Sequence, residues 1–170
     1  MTEQRPALEL SHAGTIGAGG VESGHGIENV SFACASGTWT ALAGPEGAGK
    51  TGVLRCAAGL DPLTAGEVRL AEGLRLAHVG LVPVAERPAQ TRAAEVVLAL
   101  AGTPDVLLAD DLTRGLAAVD AAAVLDLLRD AVDRRGLCVV ASASDLASLE
   151  RADTVVLLAE GRVAEIRVMP

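Results

Sequence analysis

The chain has 170 residues, a formal net charge of −8, 50% hydrophobic residues and 1% aromatic residues. This length suits one domain, because a chain of this size buries roughly two thirds of its unfolded surface. The hydrophobic content excludes a disordered acidic tail. The acidic balance argues against a nucleic-acid binder, which needs basic residues facing the phosphates. We therefore expect a single domain over residues 1–170, with a flexible start at 1–6.

Membrane spans, secretory signals and cysteine spacing each bear on the cellular compartment of the protein. No apolar run approaches the ~18 residues of a membrane span, and the first six residues lack the basic-then-apolar order of a secretory signal. Neither a disulfide framework nor a zinc site is indicated by the three widely spaced cysteines, Cys34, Cys56 and Cys138. These features predict a cytoplasmic protein whose cysteines are reduced and buried.

The hydrophobic pattern predicts strands and helices that alternate along most of the chain. In the first half we expect a glycine-rich loop at 14–26 and a helix at 49–58 that ends at Gly59. We also expect five strands, at 7–11, 30–35, 39–43, 67–70 and 76–82. In the second half we expect, in chain order, helix 91–101, strand 106–109, helix 120–135, strand 137–141, helix 145–150 and strands 154–158 and 162–168. Asp120 is the expected N-cap of the helix at 120–135. Near-continuous apolar strands joined by helices predict a mostly parallel sheet.

The segment Gly44–Thr51, with the sequence GPEGAGKT, matches the pattern G-x-x-x-x-G-K-[ST] between a predicted strand and a predicted helix. Its glycines let backbone N–H groups turn toward phosphate oxygens, and the following helix adds the positive end of its dipole. Lys50, the only lysine in the chain, can reach the β- and γ-phosphates, and the Thr51 hydroxyl can bind Mg²⁺. The residues predicted to bind the nucleotide are Gly44, Glu46, Gly47, Ala48, Gly49, Lys50, Thr51 and Gly52.

Acidic residues near this loop have two interpretations each. Asp110 ends a short apolar strand, where a carboxylate of an open α/β sheet faces the ligand crevice; it is a candidate Mg²⁺ residue, and a helix cap or solvated turn acid is the alternative. Asp111 is a candidate for orienting or deprotonating the attacking water, and a solvated acid is the alternative. Glu46 either points outward from the loop or repels phosphate and weakens nucleotide binding.

These segments resemble, in family order over most of residues 7–168, the nucleotide-binding domains of ATP-binding cassette (ABC) ATPases. Beyond the phosphate loop, the resemblance rests on LRCAAGL at 54–60, GTPDVLLADD at 102–111 and LLAEGR at 157–162. It implies an α/β fold of the P-loop NTPase type, in which helices flank a mostly parallel sheet and the N-terminal part adds antiparallel strands. It also implies ATP and Mg²⁺ as ligands, and a location at the inner face of the membrane beside a membrane-embedded permease.

Several positions depart from the family pattern. The glutamine that usually follows the strand at 76–82 is Val84, and the span from there to Asp110 has room for about one helix, so the helical subdomain with its LSGGQ signature is missing. The family's catalytic glutamate aligns with Asp111, its switch histidine with Ser144, and the aspartate of the loop between them with Ala117. These losses argue for weak or partner-dependent hydrolysis, and against the usual homodimer, in which each subunit supplies a signature.

Two classes of function follow from the sequence. The first is a reduced ABC-type domain that binds Mg-ATP and works with a permease or with a signature-bearing ABC subunit. The second is a pseudo-ATPase, either a non-hydrolysing nucleotide binder or a nucleotide-free regulatory or scaffold protein. Another phosphate-loop enzyme, such as a kinase, would need an acceptor pocket and a further basic clamp, which the sequence does not indicate.

Overall fold

A computed structural model describes residues 6–15, 26–82 and 92–170 of the chain. Most of the predicted flexible start, most of the predicted glycine-rich loop and Val84 lie outside the described residues. Within those ranges the elements are β1 (Leu8–Gly14), β2 (Val30–Cys34), β3 (Trp39–Ala43), α1 (Lys50–Ala57), β4 (Ala65–Leu70), β5 (Leu76–Val79), α2 (Arg92–Ala101), β6 (Val106–Ala109), α3 (Ala118–Arg135), β7 (Cys138–Ser142), α4 (Leu146–Glu150), β8 (Thr154–Ala159) and β9 (Arg162–Val168).

The strands form two sheets. The smaller is antiparallel, in the order β2-β1-β4. The larger has the order β5-β6-β7-β3-β8-β9, in which the first five strands run parallel and β9 runs antiparallel to β8. This arrangement confirms the predicted fold class, a mostly parallel α/β sheet with an antiparallel portion from the N-terminal part of the chain.

Alternate residues of the central strands enter two separate cores. In β6, Val106 and Leu108 join a core with α1 and the small sheet, whereas Leu107 and Ala109 join a core with α2 and α3 on the opposite face. Trp39 is fully buried in this second core. Strands β3, β6 and β7 are buried at every position, and apart from Thr40 and Ser142 their residues are apolar.

Several element boundaries differ from the prediction, among them both ends of β1 and the start of β4, and two of the differences have identifiable reasons. The strand at 76–82 ends at Val79, because Gly80 takes a left-handed φ of 76° that an extended strand does not allow. Asp120 is not the N-cap of α3, so that prediction was wrong: the N-cap is Ala117, in an extended conformation without a side-chain hydrogen bond. Asp120 lies in the first helical turn instead, where its charge favours the helix dipole.

The described residues between β5 and β6 contain one helix, α2. This agrees with the single helix for which the sequence has room. Within the described ranges, no helix combines the length and apolarity needed to cross a bilayer. All three cysteines are free and buried.

The start of α4 is tied to the loop that follows β6. The Asp145 carboxylate accepts hydrogen bonds from the Ser148 amide at 2.8 Å, the Ser148 hydroxyl at 2.9 Å and the Thr113 hydroxyl at 2.7 Å. Partial burial opposes ionisation of this group, but these bonds and one from the Ala147 amide outweigh it and lower the pKa of Asp145. Asp145 is therefore the N-cap of α4, and it also links two loops at the carboxyl edge of the large sheet.

Replacing Asp145 with alanine should lower the free energy of unfolding by about 1 kcal/mol near neutral pH, because α4 loses its N-cap. Asp145→Asn keeps an acceptor oxygen and should lose less. Since the folded-state pKa lies below the ordinary value of ~3.9, the stabilisation by the ionised carboxylate is complete above that value and disappears as pH falls through the folded-state pKa. Urea unfolding at several pH values measures it, and equal stability of wild type and Asp145→Ala at neutral pH would contradict this account.

Candidate functional site

The phosphate-loop motif joins the carboxyl end of β3 to the start of α1. Gly44 and Gly49 have φ values of 144° and 99°. Gly44 packs closely against the end of β8, and Gly49 packs against the turn between β8 and β9. A Cβ at Gly44 would lie 2.3 Å from the carbonyl oxygen of Leu158, and one at Gly49 would lie 3.1 Å from the Cα of Gly161. Gly47 faces open space, but its φ of 78° still favours glycine. The motif therefore has the glycines that its backbone path requires.

A set of backbone donors in the loop has no acceptor among the residues that the structure describes. Its own closing bond runs from the Ala48 amide to the Pro45 carbonyl, at 3.1 Å. No described residue accepts a hydrogen bond from the amides of Gly47, Gly49, Lys50 or Thr51. Several of these groups are the unpaired N–H groups of the first turn of α1, where the helix dipole is positive. This end of the loop is thus suited to an anion.

Lys50 places its positive charge on the loop itself. The Nζ atom donates to the Gly44 carbonyl at 2.6 Å and to the Pro45 carbonyl at 2.9 Å. The side chain therefore reaches back over the segment that encloses the unpaired amides. Glu46 is exposed at the tip of the loop.

Asp110 follows β6, and its carboxylate links the end of that strand to the start of α1 and the end of β7. Its Oδ2 atom accepts a hydrogen bond from the Thr51 hydroxyl of α1 at 2.8 Å, and its Oδ1 atom accepts one from the Ser142 hydroxyl of β7 at 2.7 Å. The structure thus brings together two residues predicted to bind metal, Thr51 and Asp110. Hydroxyl and carboxylate oxygens are the hard ligands that Mg²⁺ prefers.

Ser142 is a site residue that the sequence reasoning missed. Strands β6 and β7 are paired in parallel with Ala109 opposite Ala141, so the next residues, Asp110 and Ser142, meet at the same sheet edge. The signal available in the sequence was a serine that ends an otherwise apolar buried strand.

Asp111 follows Asp110 in the chain, but its carboxylate pairs with Arg114 and not with Thr51 or Ser142. Its φ is 49°, a left-handed value, and its amide donates to the Ser142 hydroxyl at 2.8 Å. Its carboxylate lies 3.3 Å from the guanidinium of Arg114, whose side chain is 77% exposed. The described hydrogen bonds and ion pairs join the carboxylate of Asp111 to Arg114 and to no described residue of the phosphate loop. The two interpretations of Asp111, a water-orienting group or a solvated acid, therefore both stay open.

Two of the positions that depart from the family pattern carry small side chains at the surface. Ser144 and Ala117 are both exposed.

Arg55 of α1, which sequence reasoning did not single out, donates to the Leu81 carbonyl at 2.7 Å and forms a two-pronged ion pair with Asp61. Hydrogen bonding to Asp61 outweighs desolvation and raises the pKa of Arg55. Arg55 thereby holds the segment after β5 against α1, next to the site.

Comparisons with known proteins point in one direction. A family model described as ABC transporter matches residues 27–90. The sn-glycerol-3-phosphate import ATP-binding protein of Vibrio vulnificus is 36% identical over 96 residues, which cover 56% of this chain and 24% of that protein. The mycobactin import ATP-binding/permease protein of Mycobacterium tuberculosis is 30% identical over 206 aligned residues, which cover 84% of this chain and 35% of that protein. This chain therefore spans much less than two thirds of these relatives.

Solved structures show the same fold. A dimeric ATP-binding cassette, in a post-hydrolysis state with ADP and phosphate bound, matches with a TM-score of 0.78 at 18% sequence identity. The match covers 96% of this chain and 99% of that chain. A nucleotide-free ATP-binding cassette matches with a TM-score of 0.82 at 12% identity, over 98% and 92% of the two chains. At these identities the likeness concerns the fold alone.

The two kinds of glycine in the loop should respond differently to substitution. Gly47→Ala should cost roughly 1–2 kcal/mol of stability, since only the left-handed φ is strained. Gly44→Ala should cost clearly more, because its Cβ also collides with the Leu158 carbonyl. Urea unfolding of both variants measures the difference, and an equal loss of stability would show that the contact with Leu158 does not constrain the loop.

Proposed function

We propose that this chain, which belongs to the ATP-binding cassette (ABC) transporter family, binds ATP together with Mg²⁺ at the loop between β3 and α1. The observation that carries the proposal is that Thr51 and Asp110 meet at 2.8 Å directly beside a row of unpaired amides and the only lysine. Donors for an anion and oxygen ligands for a divalent cation are thus adjacent, as a metal–phosphate ligand requires.

Different residues would bind the phosphate groups and the Mg²⁺ ion of the ligand. The amides from Gly47 to Thr51 and the Lys50 ammonium would hold phosphate oxygens, and Gly44, Glu46, Ala48 and Gly52 would contribute backbone to the same cradle. The Thr51 hydroxyl and the Asp110 carboxylate would hold Mg²⁺. The metal supplies neutralisation of charge on the phosphates when it is bound.

We infer that hydrolysis by the isolated chain is slow. The inference is supported by Ser144 and Ala117, which are exposed and stand where the family resemblance implies a histidine and an aspartate. Asp111 would orient the attacking water, but in this structure its carboxylate lies next to Arg114. General-base effects are typically worth ~10²–10⁴ in rate, so a misplaced base is costly.

The proposed partners follow from the names of the relatives and from the single helix between β5 and β6. The relatives are import proteins that bind ATP, and one combines this with a permease. We therefore propose a cytoplasmic chain that works at the inner face of the membrane with a membrane-embedded permease. A signature-bearing ABC subunit would complete the nucleotide site, because the sequence of this chain has no LSGGQ signature to return to a second copy.

One observation favours a second candidate, a pseudo-ATPase that acts as a regulator or scaffold. The Lys50 ammonium already binds the Gly44 and Pro45 carbonyls, so the loop holds its curled shape through its own contacts. A fold retained without nucleotide would keep this arrangement. Nucleotide binding therefore separates the two candidates.

Lys50→Ala should abolish stabilisation of the protein by Mg-ATP. At a ligand concentration of ~100 Kd, the wild type should gain ~2.7 kcal/mol, which a thermal-unfolding shift and isothermal titration both detect. Arg134→Ala is the matched control, because it removes one positive charge from an exposed pair with Asp130 in α3, away from the loop. An unmoved wild-type melting curve at millimolar ATP would leave only the nucleotide-free scaffold.

Steady-state phosphate release separates a slow ATPase from a non-hydrolysing binder. We expect a low wild-type rate that exceeds the rate of the Lys50→Ala variant, and we expect Asp111→Asn to remove that difference. Asparagine keeps the size and tolerates the left-handed φ of Asp111 but cannot accept a proton from water. A wild-type rate equal to that of Lys50→Ala would contradict hydrolysis and support binding alone.

A further inference from the structure

We propose that Ser142 is a positioning residue that sets the strength of Mg²⁺ binding by orienting the Asp110 carboxylate, an inference that rests on the proposed function. The Ser142 side chain ends strand β7, and its residue is 3% exposed. Its hydroxyl donates to Asp110 Oδ1 at 2.7 Å and accepts from the Asp111 amide at 2.8 Å. Ser142 thus touches both acids of the candidate site while itself remaining in the protein interior.

The hydrogen bonds of Ser142 leave its hydroxyl little freedom. A serine hydroxyl has one proton, and Asp110 takes it, while the Asp111 N–H uses a lone pair of the same oxygen. Removing this hydroxyl would leave the Asp111 amide and Asp110 Oδ1 each one partner short. Ser142 therefore contributes two directional hydrogen bonds, which a residue that only fills space could not supply.

The consequence for Asp110 is geometric. Thr51 holds Oδ2 from α1, and Ser142 holds Oδ1 from β7, so the two bonds fix the plane of the carboxylate between a helix and a strand. Without Ser142 the carboxylate could turn about the single remaining bond to Thr51. Partners that orient a metal-binding residue typically affect metal affinity by 10–100-fold. Among the described residues, the phosphate-binding amides and Lys50 share no hydrogen bond with Ser142, so metal-free nucleotide binding should not depend on it.

The chain offers a matched control at Ser148. This serine is also 3% exposed, and its hydroxyl also donates to a carboxylate, that of Asp145, at 2.9 Å. Ser148→Ala removes the same kind of buried hydrogen bond from the start of α4. A merely structural effect of serine loss should therefore appear equally in both alanine variants, whereas an effect on Mg²⁺ should appear only at Ser142.

The test uses the full chain and AMP-PNP, a non-hydrolysable ATP analogue, as the probe. Isothermal titration gives the AMP-PNP affinity in EDTA, and a Mg²⁺ titration at fixed AMP-PNP gives the half-maximal metal concentration. Electron paramagnetic resonance of Mn²⁺ in place of Mg²⁺ reports the metal directly. We expect Ser142→Ala to raise the half-maximal metal concentration at least ~10-fold with unchanged affinity in EDTA, whereas Ser148→Ala changes neither and Ser142→Thr restores most of the metal affinity.

Ser142→Cys keeps the side-chain volume but donates poorly, so it should show the same shift and replaces the alanine variant if that variant fails to fold. An unchanged metal midpoint in Ser142→Ala or Ser142→Cys, with a wild type whose binding responds to Mg²⁺, would overturn the inference alone. A wild type that binds no AMP-PNP with or without Mg²⁺ would overturn the proposed function, and the inference with it.

Discussion

The hydrogen bond between Thr51 and Asp110 is the contact on which the site depends, because it joins the helix after the phosphate loop to the central sheet. Parallel strands end at one edge, so β3, β6 and β7 deliver the loop, Asp110 and Ser142 to the same place. The burial of these strands on both faces fixes where their ends lie. The apolar core therefore positions the polar site, and the sheet order determines which polar residues meet.

We propose that the chain keeps the phosphate-binding side of an ABC domain, whereas Ser144 and Ala117 stand where the family resemblance implies a histidine and an aspartate. The loop retains its strained glycines and unpaired amides, features whose loss would disturb the backbone itself. By contrast, the substitutions at Ser144 and Ala117 lie at exposed positions, where little packing opposes change. On the proposed function, the nucleotide site persists while hydrolysis weakens or passes to a partner subunit.

Much of the fold was predictable from the sequence, because hydrophobic period and glycine position fix local structure. The bounds of β3, β6 and β9 agree with their predictions. The errors arose where the outcome depends on more than local chemistry. Asp120 was predicted to cap α3, but the backbone enters that helix at Ala117 without a side-chain acceptor. Ser142 was missed because its contact with Asp110 depends on β6 and β7 being neighbours in register, which the hydrophobic pattern does not specify.

The central claim is that the amides at the start of α1 receive the phosphates of a nucleotide. Nuclear magnetic resonance of the ¹⁵N-labelled chain, titrated with Mg-ATP, tests it at the atoms concerned. The account predicts that the largest amide shift changes fall on Gly47, Gly49, Lys50 and Thr51, with smaller changes at Asp110 and Asp111. Amide signals of the loop that do not move at saturating Mg-ATP, or changes confined to another face of the protein, would contradict it.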